Sequence, residues 1–307
     1  MLRSPGLLTL ARLRRDRPAM VSGVAALLLV GLAVAAPAVG AVYGVGPEET
    51  FAGDLDPYGM PYGVSGGVSA SHWFGLEPGL GRDIFVQVIF GMRTSLAIAG
   101  TAALVATAVG AVVGGVAGYL GGWADAAIGW LTDVLLALPL LICAIALIRP
   151  LELHLYGPRD PVPGWFRAVT VAGLFGGLGW MPIARLVRGQ VIALREQEFV
   201  TAARASGAGA RWIVSRELLP HLGAPVLTGL SLLLPAFVAG GAALSFLGLG
   251  VLEPTADLGR MIYRSLGYLQ TDPAYVVFPS AALFLLVFAF STFNEGLRDA
   301  LDPRALR

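Results

Sequence analysis

An all-α polytopic membrane fold is what this sequence predicts, on three observations. Hydrophobic residues make up 56% of its 307 positions and charged residues 13%, about half the charge of an ordinary soluble domain. Charge-poor windows long enough to cross a bilayer recur six times along the chain. Arginines collect in alternate gaps between those windows, so the crossings have a readable direction.

The first window, AMVSGVAALLLVGLAVAAPAVGAVYGV at 19–45, exceeds the roughly 20 residues that a helix needs to cross a hydrocarbon core of about 30 Å. It is also far longer than the core of a signal peptide, which is roughly 7–15 residues. A retained anchor is therefore expected, although AAPAVGA offers small residues where a cleavage site could sit. The second window is 94–124, and the third, 126–148, is interrupted only by Asp133. The fourth, AVTVAGLFGGLGWMPIA at 168–184, is the shortest and richest in glycine. The uncharged run 218–252 is longer than one span needs, and SFLGLG near its end predicts that the helix stops there. The sixth window is 273–293.

Six crossings put both termini on one side. With the N-terminus inside, the inner pieces are 1–18, a turn near 125, the loop of about 185–217 and the tail after 294. They hold 14 of the 21 arginines, and Arg12, Arg14, Arg15 and Arg17 precede the first span. By the positive-inside rule these pieces are cytoplasmic. The resulting division is a cytoplasmic tail 1–18, a first helix 19–45, an extracytoplasmic segment 46–93, a core 94–294 of five helices, and a cytoplasmic tail 295–307. A helical pattern with Leu258, Met261, Ile262, Ser265 and Leu266 on one side is expected to lie along the membrane surface.

Composition also excludes several kinds of chemistry. Cys143 is the single cysteine, so no intrachain disulfide forms. His72, His154 and His221 are widely separated and lack metal-site spacing. Every basic residue is arginine, and a Walker A loop needs its lysine to reach the phosphates. No catalytic residue, metal ligand or bound cofactor is expected on this chain, nor a nucleic-acid partner. Gly110 and Gly114 sit inside an apolar span, where small residues mean helix packing. Asp133, an acid within a span, is a candidate for ion coupling, but its nearness to the inner edge favours a structural pairing with an arginine.

The stretch TAARASGAGARWIVSRELLP at 201–220 stands apart from this apolar background. Residues 191–206 suit a helix with Arg195, Glu196, Glu198 and Arg204 on its wetter faces. Gly207 breaks it, as a left-handed C-terminal turn would. A second short helix is expected to stop near Leu219, because Pro220 disfavours helical geometry in the residue before it. Ala202 and Ala203 leave a bare patch where another protein can approach the backbone. A simple connection needs only a few residues, so a cytoplasmic docking role for 191–220 is the natural reading.

Ala202, Ala203, Gly207, Leu219 and Pro220, at this spacing, resemble the EAA loop of permease subunits of binding-protein-dependent ABC importers, which docks into the ATPase subunit. Thr201 stands where many members have Glu, and Glu217 where an aliphatic residue is usual. HWFGLEPGLGRDIFVQVIFGMRTSL at 72–96, TDVLLALP at 132–139, ARLVRGQVIALREQEFV at 184–200, LSFLGLGV at 244–251 and LRDALDPR at 297–304 are similar to the C-type permease of dipeptide and oligopeptide importers. Five residues separate Gly75 from Gly81 where that family usually has four, with Glu77 near a customary Asp.

The resemblance implies a type I ABC importer permease in a bacterial cell membrane. It would pair with a homologous B-type permease, two ATPase subunits that bind ATP and Mg, and an extracytoplasmic solute-binding protein, and would pass short peptides. It further implies that Thr201, Ala202, Ala203, Arg204, Gly207, Arg211, Leu219 and Pro220 form the ATPase-coupling loop. Nickel importers of the same family are the near alternative, and a self-contained secondary carrier the remote one.

Overall fold

The computed structural model describes residues 13–157, 160 and 162–301, so Arg12 and the tail beyond Leu301 lie outside the described residues. Helix α1, Arg17–Val34, starts where the Asp16 carboxylate accepts a hydrogen bond from the Ala19 amide at 3.2 Å. Pro37, which has no N–H to donate, marks a slight break before α2, Ala36–Tyr43. The two together match the first predicted window. Helix α3, Ile84–Leu120, begins ten residues before its window because Asp83 caps it, accepting from the Val86 amide at 3.0 Å. Ile84, Val86, Val88 and Ile89 are buried there. At about 1.5 Å per residue α3 is roughly 55 Å long, well beyond a hydrocarbon core.

The third window is not a straight helix. It consists of α4, Gly122–Leu136, and α5, Leu140–Leu155, bent by 81° at the break before Pro139. The fourth extends into α6, Gly164–Leu178, and α7, Met181–Arg195, which together form one apolar span. After the loop, α8 covers Glu198–Ala205 and α9 Ala210–Trp212; a π turn over Ile213–Leu218 then leads into α10, Leu219–Phe246. Gly248, at φ 77°, ends that helix where the sequence predicts a stop. Two further helices are α11, Leu258–Ser265, and α12, Ala274–Leu301. Among the described residues five helices or helix pairs are long and apolar enough to cross a membrane, and there are six if the bent α4–α5 pair is one span.

Helix α11 corrects an expectation. Leu258, Met261 and Ser265, expected to face a membrane surface, are buried within the protein, with Ile262 half-buried and Leu266 exposed. Gly259 makes this possible: a Cβ there would lie 2.2 Å from the Ala242 carbonyl oxygen of α10. The apolar side of α11 therefore packs inside the protein.

Helix α3 is the central post, and α7 lies against it along a glycine stripe. A Cβ on Gly110 would come 2.5 Å from the Trp180 oxygen, on Gly114 2.2 Å from the Ala184 oxygen, and on Gly118 2.8 Å from the Arg188 oxygen. The packing role read from Gly110 and Gly114 holds and extends one turn further. We expect Gly114→Ala to destabilise the fold by about 1–3 kcal/mol, the usual cost of overpacking. Gly115→Ala, at a site with nothing within 4 Å, should be neutral. Thermal unfolding of the two purified variants checks this, and equal midpoints would contradict it.

At the opposite end from the 196–218 loop, segment 46–83 is fastened by charge. Glu77 is 2% exposed and accepts hydrogen bonds from Arg82 Nε at 2.7 Å, Arg264 Nη1 at 3.0 Å and Tyr275 Oη at 2.6 Å. Arg264 also meets Glu253 at 2.8 Å. One carboxylate thus joins the segment to α11 and α12. Burial opposes the charge on Glu77, but the Arg82 hydrogen bond and charge, with Tyr275 and Arg264, hold its carboxyl below the ordinary value. Nearby, Asp83 accepts from Tyr43 Oη at 3.2 Å and pairs with His72 Nδ1 at 2.8 Å, tying the end of α2 to the start of α3.

Candidate functional site

The stretch 191–220 is built from its buried anchors outward. Val191, Val200, Ile213 and Leu218 are each at most 1% exposed and hold the loop to the bundle. The expected single helix over 191–206 is in fact two. Helix α7 ends at Arg195, Gln197 is extended (φ −72°, ψ 151°), and α8 starts afresh at Glu198. The turn lets Val200 point back to the core while the wetter residues face out.

The corner at Gly207 is the Schellman arrangement. Gly207 has φ 84°, its amide donates to the Arg204 carbonyl at 3.0 Å, and the Ala208 amide donates to the Ala203 carbonyl at 3.0 Å. These two bonds satisfy carbonyls that the end of α8 would otherwise leave open, and they require a left-handed residue between them. Space does not demand glycine, since nothing lies within 4 Å of a Cβ built there. The backbone angle does.

Beyond the corner, the chain departs from expectation again. The second helix does not stop at Leu219; helical backbone runs from Ala210 through to Phe246. Pro220 lies in the first turn of α10. In a regular α-helix its ring would crowd the carbonyl four residues back and leave it without a donor. The π turn immediately before it supplies an extra residue of slack. His221 Nδ1 donates to the Glu217 carbonyl at 2.7 Å, and its ring stacks on Phe199 with centroids 5.2 Å apart. Ile213 and Leu218 form the inward face of the second helix, so Glu217, half-buried, is not needed for it.

The coupling residues singled out from sequence fall on the outward surface of this loop. Thr201, Ala202, Arg204, Gly207, Arg211, Leu219 and Pro220 are exposed, and Ala203 is half-buried beneath the corner. Thr201 Oγ1 donates to the Gln197 carbonyl at 3.2 Å, so it stabilises the start of α8 without presenting a charge. Sequence reasoning passed over Trp212 and Val214, which are 48% and 38% exposed directly after the corner. An aromatic and a β-branched residue in an otherwise polar stretch were the available signal. Small side chains, guanidiniums and exposed apolar groups make a contact surface rather than reaction chemistry.

Arg185 and Arg188 of α7 face α4. Arg188 grips Asp125 with both prongs, Nη2 lying 2.8 Å from Oδ2, and Arg185 Nη2 lies 2.5 Å from Asp133 Oδ1. Asp133 thus has the arginine partner that its position near the span's edge suggested. Arg195 Nη1 donates to the Gly118 carbonyl at 3.1 Å, capping the end of α3.

Residues 110–307 match the family described as binding-protein-dependent transport system inner membrane component. The chain is 35% identical over 294 residues to the glutathione transport system permease protein GsiD of Escherichia coli O6:K15:H31, covering 95% of this chain and 88% of that protein. It is similarly 35% identical to the protein of the same name from Shigella sonnei. With the dipeptide transport system permease protein DppC of Alkalihalophilus pseudofirmus it shares 37% identity over 238 residues, 78% of this chain and 74% of the relative.

Proposed function

Because the chain belongs to the family of binding-protein-dependent transport system inner membrane components, we propose that it is the permease subunit through which an ATP-driven importer passes short peptides. It is a multi-pass membrane protein, and its family implies an ATPase and a binding protein as partners. Relatives named for glutathione and dipeptide transport favour a small peptide as the solute. The finer composition is a homologous B-type permease beside this chain, two ATPase subunits holding ATP and Mg, and an extracytoplasmic binding protein.

The observation that carries the reading is the Gly207 corner, with its exposed Ala202, Arg204, Arg211 and Trp212. A loop anchored by buried side chains on one face and bare on the other suits docking to an ATPase. In the cycle, ATP closes the ATPase pair, the loop at 191–220 moves with it, and the spans exchange inward-open for outward-open states.

Reconstitution of the complete importer with labelled dipeptide, glutathione and nickel tests the reading. ATP-dependent uptake of a peptide is expected. Uptake of nickel alone would assign the chain to the metal branch, and ion-driven uptake by this chain alone would make it a secondary carrier. Orientation has its own test, because both termini and this loop should be cytoplasmic. In a Cys143→Ser background, Ser206→Cys should react with an impermeant thiol reagent only from the cytoplasmic side; labelling of intact cells from outside would reverse the topology.

A further inference from the structure

Helix α4 is held unlike any other part of the bundle. Of its fifteen residues only Thr132 is buried, while Trp123, Trp130, Leu131 and Val134 are exposed. It starts at Gly121 and Gly122, with φ 66° and 59°, and ends at the break before Pro139 where the chain turns by 81°. Both ends are places where a backbone can pivot. A cavity of about 250 Å³ lies between it and α3 and α7, and Gly114, Gly129 and Ala184 are among its lining residues. Across it α4 faces the small residues Gly114, Ala117 and Ala184 and its two partners Arg185 and Arg188. Its neighbour α7, by contrast, is set against α3 by the glycine stripe and continues into α8 after two residues.

Two ion pairs bridge these unlike neighbours. Asp125 and Arg188 have side chains 19% and 36% exposed and meet in a two-pronged pair, which fixes orientation as well as distance. Asp133 and Arg185 make one hydrogen bond with side chains 66% and 58% exposed. Held by one bond rather than two, the Asp133–Arg185 pair is the easier of the two to open and reform in each cycle.

We propose that Asp125 and Asp133 are positioning residues of transport: Asp125 is the pivot and Asp133 the latch by which displacement of α7 and its loop swings the bent α4–α5 arm. This rests on the importer reading above. It gives Asp133 a part in motion where its pairing alone would be only structural. An acid kept within a spanning segment, where charge is expensive, is explained by use.

The test uses the complete importer in proteoliposomes. Asp133→Asn and Arg185→Gln should assemble normally yet lose about fivefold or more of the ATPase stimulation given by loaded binding protein, the scale of a site-to-site coupling. The reversed pair, Asp133→Arg with Arg185→Asp, should recover most of it. In a Cys143→Ser background, spin labels at Trp130→Cys and Gln190→Cys, both exposed positions, should change separation between the nucleotide-free and ATP-held states. Normal stimulation in the single variants, failure of the reversed pair to restore it, or an unchanged separation would each overturn the proposal. The distance measurement needs no solute, so it remains decisive if a single variant fails to assemble. Absence of uptake by the unmutated complex would count instead against the importer reading.

Discussion

Gly207→Val should abolish solute uptake while leaving the protein in the membrane at near-normal abundance. Gly207 has φ 84° with open space around it, so valine meets no clash; the penalty is entirely in the backbone. A left-handed angle costs an L-residue roughly 1–2 kcal/mol, and β-branching makes it a severe outlier. The chain escapes that penalty by turning elsewhere, which breaks the bonds from Gly207 to Arg204 and from Ala208 to Ala203. Trp212, Arg211 and the π turn would then leave the surface they share with α8. Because Val200, Ile213 and Leu218 anchor the loop from inside, the spans should fold unchanged. Arg204→Ala, at an exposed solvated position, should be mild. Uptake by the reconstituted complex, with co-purification of the ATPase subunits scored alongside, is the measurement. Normal uptake by Gly207→Val would reduce the loop to a connector.

Glu77→Ala should be the most destabilising single change in the 46–83 segment. Removing one member of a buried ion pair costs about 3–5 kcal/mol, because the remaining charge is left without compensation. Here Arg82, with a side chain 7% exposed, would keep only the longer 3.4 Å contact with Glu253, and the donors Arg264 and Tyr275 would lose an acceptor. The segment should detach from α11 and α12 and become sensitive to added protease, and the unfolding temperature should fall. The pH dependence has a definite sign. A carboxyl whose folded value is depressed contributes stability above the ordinary carboxylate range and loses it as pH falls through the folded value. The native protein should therefore lose more stability on acidification than Glu77→Gln does. Equal protease resistance for native protein and Glu77→Ala would show that the cluster is not the fastening.

How far each of these sites could be read without coordinates differs for physical reasons. Gly207 was legible because only glycine serves cheaply at a left-handed corner, and helix patterns on either side located it. Glu77 was visible only as an acid in a loop of unusual length. Its partners Arg264 and Tyr275 lie 187 and 198 residues away, and no local pattern encodes such a pairing. The halt expected at Pro220 failed because proline only biases the residue before it, and Leu219 keeps helical angles (φ −56°, ψ −42°) after the π turn. The helix at 258–265 was given to the membrane surface because its pattern shows an apolar side without showing what covers it. Gly259, which admits α10, has no distinguishing mark in sequence.

Composition and residue pattern disclose the apolar solvent and most of the helices. Long uncharged windows can be satisfied only by helices in hydrocarbon, the distribution of arginine sets an expected direction, and the spacing of Ala202, Ala203, Gly207, Leu219 and Pro220 marks the loop proposed to dock. Which helix meets which emerged on folding. Folding set α7 against α3 through Gly110, Gly114 and Gly118, bent the third span by 81°, and brought Asp125 and Asp133 to Arg188 and Arg185. Apolar surface is non-directional, so hydropathy can require that a span be buried but cannot choose its neighbour. That choice rests on close approach at glycines and on charge pairs between residues far apart in the chain, which exist only once the chain is folded.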